Sequence, residues 1–188
     1  MAVSGFKLML PDDWVILDLN PETAAESVRQ VIDGMVRIDP KLAERRSDIE
    51  EVLSVMTDEA IAEDKLLCGL RFGADEEGRP VQAAVSVTLG AVDGPTDPDS
   101  LYEQLGDDSV DARIATLDSG QALRVHSSSE EGFMSWGAFV PVPGVEGAVA
   151  VVSLRSPSVL YEAKLDTFFD GLIESFHFTT EEEGDADE

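Results

Sequence analysis

Any chemistry in this chain would rest on few residue types. There are two histidines, His126 and His177, and one cysteine, Cys68. His126 precedes Ser127, Ser128 and Ser129, a grouping that invites a Ser-His-acid reading. Adjacent side chains on a strand point to opposite faces, and no Gly-x-Ser-x-Gly elbow occurs. His126 therefore reads as a strand histidine beside a polar turn. His177 sits between Phe176 and Phe178, at a helix end where an imidazole interacts with the last carbonyls and the helix dipole. Cys68 shares an apolar strand face with Leu66 and Leu70, where a thiol behaves as a small inert hydrophobe. One Cys and two distant His do not make a zinc site, which needs about four matched ligands.

The acids and arginines are more numerous and less specific. Asp93, Asp97 and Asp99 form one cluster, and Asp107, Asp108 and Asp111 another. Neither carries the alternating ligands, central Gly and closing Glu of an EF-hand loop. No Gly-x-Gly-x-x-Gly or Walker A run appears, so nucleotide binding lacks support. Carboxylate pairs suited to glycoside chemistry are visible only in a fold. Arg113, Arg124 and Arg155 lie in or beside predicted strands. They either converge on an anionic ligand or pair with some of the many acids. Trp14 follows a turn and is expected to cap the core. Trp136 shares a strand face with Met134, Ala138 and Val140, which means core packing unless that face is exposed as a partner site. The expectation is no catalytic, cofactor-binding or metal residue, and no cofactor.

The charge balance narrows the partners. The 188 residues carry 39 acids and 13 bases, a formal charge of −26. The segment Thr179–Glu188 holds six of those acids and no base, so the remainder is acidic in its own right. Nucleic acid and anionic lipid need Lys and Arg for their phosphates, and no basic cluster exceeds Arg45-Arg46. The acidity has three readings: solubility and self-repulsion, adaptation to high salt (Lys is scarce, four against nine Arg), or complementarity to a basic partner. A single cysteine excludes an intrachain disulfide and suits a reducing compartment. Met1 to Leu10 shows no basic stretch followed by a long apolar run, and no segment approaches ~18 unbroken apolar residues. A cytoplasmic location without membrane insertion is expected.

Positioning falls to elements read from periodicity. Phe6–Leu10 and Trp14–Leu19 predict short strands around the turn Pro11-Asp12-Asp13. Asn20-Pro21 predicts a helix start, with Asn as cap and Pro at the first helical position. Ala24, Val28, Val31, Ile32, Met35 and Val36 form its apolar face. Asp39-Pro40 repeats the signal. The second helix buries Leu42, Ile49, Val52, Leu53, Met56 and Ala60, restarting at Ser47 and ending near Asp64. Period-two patterns over Leu66–Phe72 and Val81–Leu89 predict a hairpin around Asp75–Gly78. Ser100–Leu105 predicts a short helix with Leu101 and Leu105 inward. Strands follow at Val110–Leu117, Gln121–Ser127, Phe133–Val140 and Ala148–Leu154. The last is apolar on both faces, as a covered central strand must be. Leu165, Phe168, Phe169, Leu172, Ile173 and Phe176 mark a long final helix, after which His177-Phe178 adds a short strand or docks. The class is α+β: a mostly antiparallel sheet of about six or more strands, packed against two N-terminal helices and one long C-terminal helix. Residues 1–178 read as one domain and 179–188 as a disordered acidic tail.

Two segments resemble the PsbP-like fold, shared by a photosystem II extrinsic subunit, a nuclear-transport Ran-binding factor and many bacterial proteins. Phe6-Lys7-Leu8-Met9-Leu10-Pro11-Asp12-Asp13-Trp14 resembles the opening strand, Pro and Trp of that family. Leu172-Ile173-Glu174-Ser175-Phe176-His177-Phe178 resembles its final helix ending in Ser-Phe-x-Phe. These positions are structural in the family, so no functional residue carries over. The resemblance implies a sandwich used for binding, assembly or chaperoning rather than catalysis. Sequence and resemblance together predict a non-catalytic module for a protein partner, in the form of an adaptor, assembly factor or secretion-type chaperone. The alternatives are an enzyme with a dispersed Asp/Glu/Ser/Arg site and a structural subunit of a larger assembly. The oligomeric state is left open.

Overall fold

The computed structural model describes residues 3–74, 80–105, 111–117, 120–128, 133–157 and 162–180. The alternating segments form two antiparallel runs. β3 (Leu67–Ala74) and β4 (Pro80–Ala91) make the first, with β2 (Val15–Ile16) on its outer edge. β5 (Asp111–Leu117), β6 (Gly120–Ser128), β7 (Met134–Pro141) and β8 (Ala148–Ser156) make the second. β8 pairs with β4, joining them into seven strands in the order β2-β3-β4-β8-β7-β6-β5. Helix α3 (Pro98–Leu105) lies on the crossing from β4 to the far edge. β8 is thus central, and its two-sided apolar sequence follows. Ala150, Val152 and Leu154 enter one core, while Val149 and Val151 enter another.

The faces carry different helices. On one, α4 (Glu162–Glu174) lays Leu165, Phe169, Leu172 and Ile173 against Val85, Trp136 and neighbouring strand residues. Trp14 stacks on Phe168 at 5.4 Å and 8°, a core position. A separate ribbon of β1 (Val3–Lys7) and β9 (His177–Thr180) closes that side, with Phe6 stacked on Phe176 at 5.6 Å. On the other face, α1 (Ala24–Ile38) and α2 (Arg46–Ala62) pack Val28, Ile32, Leu53 and Ala60 onto Cys68 and Leu70. Leu101 of α3 covers Leu123 and Val149 further along. The α+β class holds, and the helices form layers on both faces of the sheet.

Several boundaries move for local reasons. α1 starts at Ala24, because Asn20 closes a turn first: its carbonyl accepts from the N–H groups of Thr23 and Ala24, and its side chain from Glu22. The Asp18 carboxylate accepts from the Thr23 hydroxyl and the Asn20 N–H, which holds it below the usual carboxylate range. Asp39 caps a 3-10 turn, Pro40–Arg45, and the second helix starts at Arg46, one residue before Ser47. Only Val15 and Ile16 of the Trp14–Leu19 segment pair as a strand. Leu66 lies outside β3 and is exposed, and Val52 is exposed although its spacing predicts burial. Met134, Trp136 and Val140 are buried, so that face is core and not a partner patch. Thr179 and Thr180 pair with Gly5 and Val3, so β9 extends two residues past the expected domain end at 178. The Asp75–Gly78 turn, Asp107, Asp108, Ser129 and the acids of 181–188 lie outside the described residues. Among those described, no helix is long and apolar enough to cross a membrane.

Gly137 sits where a side chain would collide, since an added Cβ would lie 2.9 Å from Val125 Cγ2 on the paired strand. Valine is stiff at χ1 in a strand and cannot swing clear freely. We expect Gly137→Ala to destabilise by about 1–3 kcal/mol, and Gly137→Ala with Val125→Ala to recover part of that in urea unfolding.

Candidate functional site

The polar groups suited to chemistry meet beneath α4. Arg124 on β6 is a buried cation, 1% exposed. Its Nε donates to Asp170 Oδ1 at 2.6 Å, and its Nη2 donates to Asp166 Oδ1. Asp166 and Asp170 lie four residues apart, so α4 presents both on one face. Arg113 on β5 donates Nη2 to both oxygens of Asp170, at 2.7 and 3.0 Å. Trp136 Nε1 donates to Asp166 at 2.9 Å, and the Phe169 ring lies 5.7 Å from the Arg124 guanidinium carbon. Burial pushes the Asp166 carboxyl up. Hydrogen bonds from Arg124 and Trp136, with the Arg124 and Arg113 charges, outweigh that and hold it below the ordinary range. The bond to Asp170 raises Arg113.

This arrangement answers the arginine question. Arg113 and Arg124 converge on carboxylates of the chain itself, and two cations meet two anions. Arg155 follows inward-facing Leu154 on β8, so it lies on the opposite sheet face, and it is exposed. The three arginines form no common site.

The remaining candidates are also dispersed. His126 stacks on Trp136 at 5.0 Å and 10°. Its Nε2 is buried without a hydrogen-bond partner, and Glu162 is 3.8 Å away. His177 opens β9, exposed, with Nδ1 3.2 Å from the Ser175 carbonyl. Cys68 is buried, which pushes its thiol up, with Lys65 acting weakly the other way. Asp97 caps α3: its carboxylate accepts from the Ser100 N–H at 3.0 Å and from the Ser100 hydroxyl at 2.7 Å. Those bonds lower its pKa. Among the described residues, no three His, Cys, Asp or Glu are grouped to hold a metal.

A second feature lies across the sheet, at the seam of α1 and α2. The helices leave an open depression of about 410 Å³, walled by Ala24, Ala25 and Val28 on α1 and by Thr57, Asp58 and Ile61 on α2. Small side chains on α1 leave the gap unfilled. The Thr57 hydroxyl donates to the Leu53 carbonyl at 2.8 Å, so it is already engaged within its helix. Val52 and Val55 stand on the outside of α2, 54% and 50% exposed. Three arginines of this layer are paired: Arg29 with Glu26 at 2.9 Å, Arg46 with Asp33 at 2.6 Å, and Arg45 with Asp48 at 3.9 Å. Arg37, in the last turn of α1, has no ion pair among the described residues. Among the described residues, no base reaches Glu22, Glu51 or Asp58. Sequence periodicity does not find this seam, because it depends on how two helices cross. The one available signal is the pair Val52 and Val55, of which only Val52 fits the α2 apolar face by spacing.

The ionic cluster generates two expectations. Arg124→Leu takes away the cation paired with Asp166 and leaves Asp170 to Arg113 alone, and should cost about 3 kcal/mol, the low end for a buried pair because both acids are part-exposed. Adding Asp166→Asn and Asp170→Asn should recover part of the loss. The Asp166 carboxyl is depressed in the folded state, so its stabilisation is complete above the unfolded value near pH ~4 and disappears as pH falls through the folded one. The stability gap between wild type and Asp166→Asn, from urea midpoints, should therefore narrow on going from neutral pH to below pH ~4.

No family model matches the chain, and no curated protein does. Among solved structures, the chain is similar to LpqN, described as involved in cell envelope biogenesis of Mycobacterium tuberculosis. The alignment covers 94% of this chain and 86% of that one, with a TM-score of 0.42 and 14% identity. A likeness of that size supports no conclusion about function.

Proposed function

We propose that this chain is a non-catalytic protein-binding module, acting as an adaptor, assembly factor or chaperone in the cytoplasm. The observation that carries the reading is the α1–α2 surface, where an apolar depression and exposed Val55 lie beside Glu51 and Asp58, which have no basic partner among the described residues. Exposed apolar groups rimmed by charge are the composition of a partner surface. The resemblance to the PsbP-like family points the same way. Its two segments supply Trp14 and Phe176, both core residues here, in keeping with a structural role for them. The enzyme alternative rested on converging arginines, and Arg113 and Arg124 are engaged by Asp166 and Asp170. The self-assembling alternative has one specific support. β5 is a sheet edge that exposes Ile114, and unpaired edges invite another strand.

Capture of the tagged full chain from its host's lysate tests the proposal. A near-stoichiometric protein is expected with wild type and should be depleted with Val55→Glu. Capture unchanged by that variant would move binding off this surface. No captured protein, together with self-association at micromolar concentration in sizing runs, would favour the assembly reading.

A further inference from the structure

We infer that the α1–α2 seam is built for a cationic amphipathic segment, with an apolar side chain seated between the helices and Lys or Arg beside it meeting the rim carboxylates. This rests on the binding-module reading and gives the partner's chemistry.

The lining is mostly hydrocarbon. Ala24, Ala25, Val28 and Ile61 offer only carbon, Thr57 turns its hydroxyl back to the Leu53 carbonyl, and Ser54 adds a single hydroxyl on the α2 wall. The depression opens to solvent along one side, so it grips projecting side chains instead of enclosing a whole molecule. Burying an apolar side chain there gains about 1.5–3 kcal/mol.

The rim sets the sign. Asp58 is the one charged side chain in the wall. On a helix, positions 51, 55, 58 and 62 share a stripe, so Glu51, Val55, Asp58 and Ala62 run beside the seam over roughly 16 Å. Glu22 stands next to Pro21 at the end where α1 begins. None of these carboxylates has a basic partner among the described residues, whereas Arg29 on α1 and Arg46 on α2 are paired. Arg37, unpaired among the described residues, stands in the last turn of α1, at the far end from Glu22 and Pro21. The whole chain, at −26, adds a long-range field that draws cations and repels anionic lipid and nucleic acid. An acid-apolar-acid-small stripe over about three turns complements a helix or extended peptide with basic and apolar residues in the same order.

The test uses the full chain and three synthetic peptides about four turns long: an amphipathic Leu/Lys helix, a Gly/Lys peptide of equal charge, and a Leu/Gln helix of equal apolarity. Amide chemical shifts of isotope-labelled protein report the site, and anisotropy of labelled peptide reports affinity. The Leu/Lys peptide should saturate with the first shifts at Ala24–Val28 and Ser54–Ala62. It should outbind both controls by about tenfold or more, equivalent to ~1.4 kcal/mol. Raising salt from about 0.05 to about 0.2 M should weaken it several-fold. Ala25→Trp, which fills the depression, and Asp58→Lys with Glu51→Lys should each weaken it by about tenfold or more. If Ala25→Trp does not fold, Ala62→Trp fills the seam from the other wall. Equal binding by Gly/Lys would reduce the site to bare charge, and equal binding by Leu/Gln would point to an apolar occupant without basic residues. Either result, or shifts centred elsewhere, overturns the inference. A lysate partner still captured by the Ala25→Trp variant would remove this site and leave the binding-module reading standing.

Discussion

A guanidinium buried to 1% exposure constrains everything packed around it. Desolvating Arg124 costs several kcal/mol unless charge and hydrogen bonds replace the lost water. Two carboxylates one turn apart on α4 provide that, Trp136 completes Asp166, and Arg113 completes Asp170. A shift of α4 by one residue rotates the helix by about 100° and takes both carboxylates off Arg124 as well as Leu165, Phe169 and Ile173 off the sheet. The docked register of α4 is therefore specified by ions as well as by Leu165, Phe169 and Ile173.

That use of charge bears on function. The cluster draws together the groups that would otherwise suggest chemistry: two arginines, two aspartates and an indole. It leaves them neutral as a set, with Arg124 and Trp136 buried beneath the helix. His126, stacked on Trp136 at its margin, keeps one buried nitrogen without a hydrogen-bond partner among the described residues. The other sheet face is treated differently. There, α1 and α2 leave a largely apolar seam beside Glu51 and Asp58, which have no basic partner among the described residues. Buried, compensated charge fixes α4, whereas the charges of the α1–α2 layer are exposed.

The elements that were legible were those with long, regular patterns. The β3–β4 hairpin, β8 and α4 stand where their periodicity puts them, because each buries a full face or both faces. Short-range competition obscured other positions. Asn20 makes a turn before it can cap a helix, and Trp14–Leu19 contributes only two paired residues. Spacing along α2 assigned Val52 inward, since spacing identifies an apolar face without knowing how wide a strip its neighbours cover.

Composition and pattern by themselves determined the α+β class, the acidic character, the covered central strand and the scarcity of catalytic residue types. Those properties are local or additive, and a chain states them directly. Only the tertiary structure decided that Arg113 and Arg124 meet Asp166 and Asp170 while Arg155 turns to the opposite face. It also decided that the N- and C-terminal helices lie on opposite sides of the sheet, and that α1 and α2 leave a seam between them. Each of these depends on strand order and helix crossing, which bring together residues tens of positions apart. No spacing along the chain records that proximity.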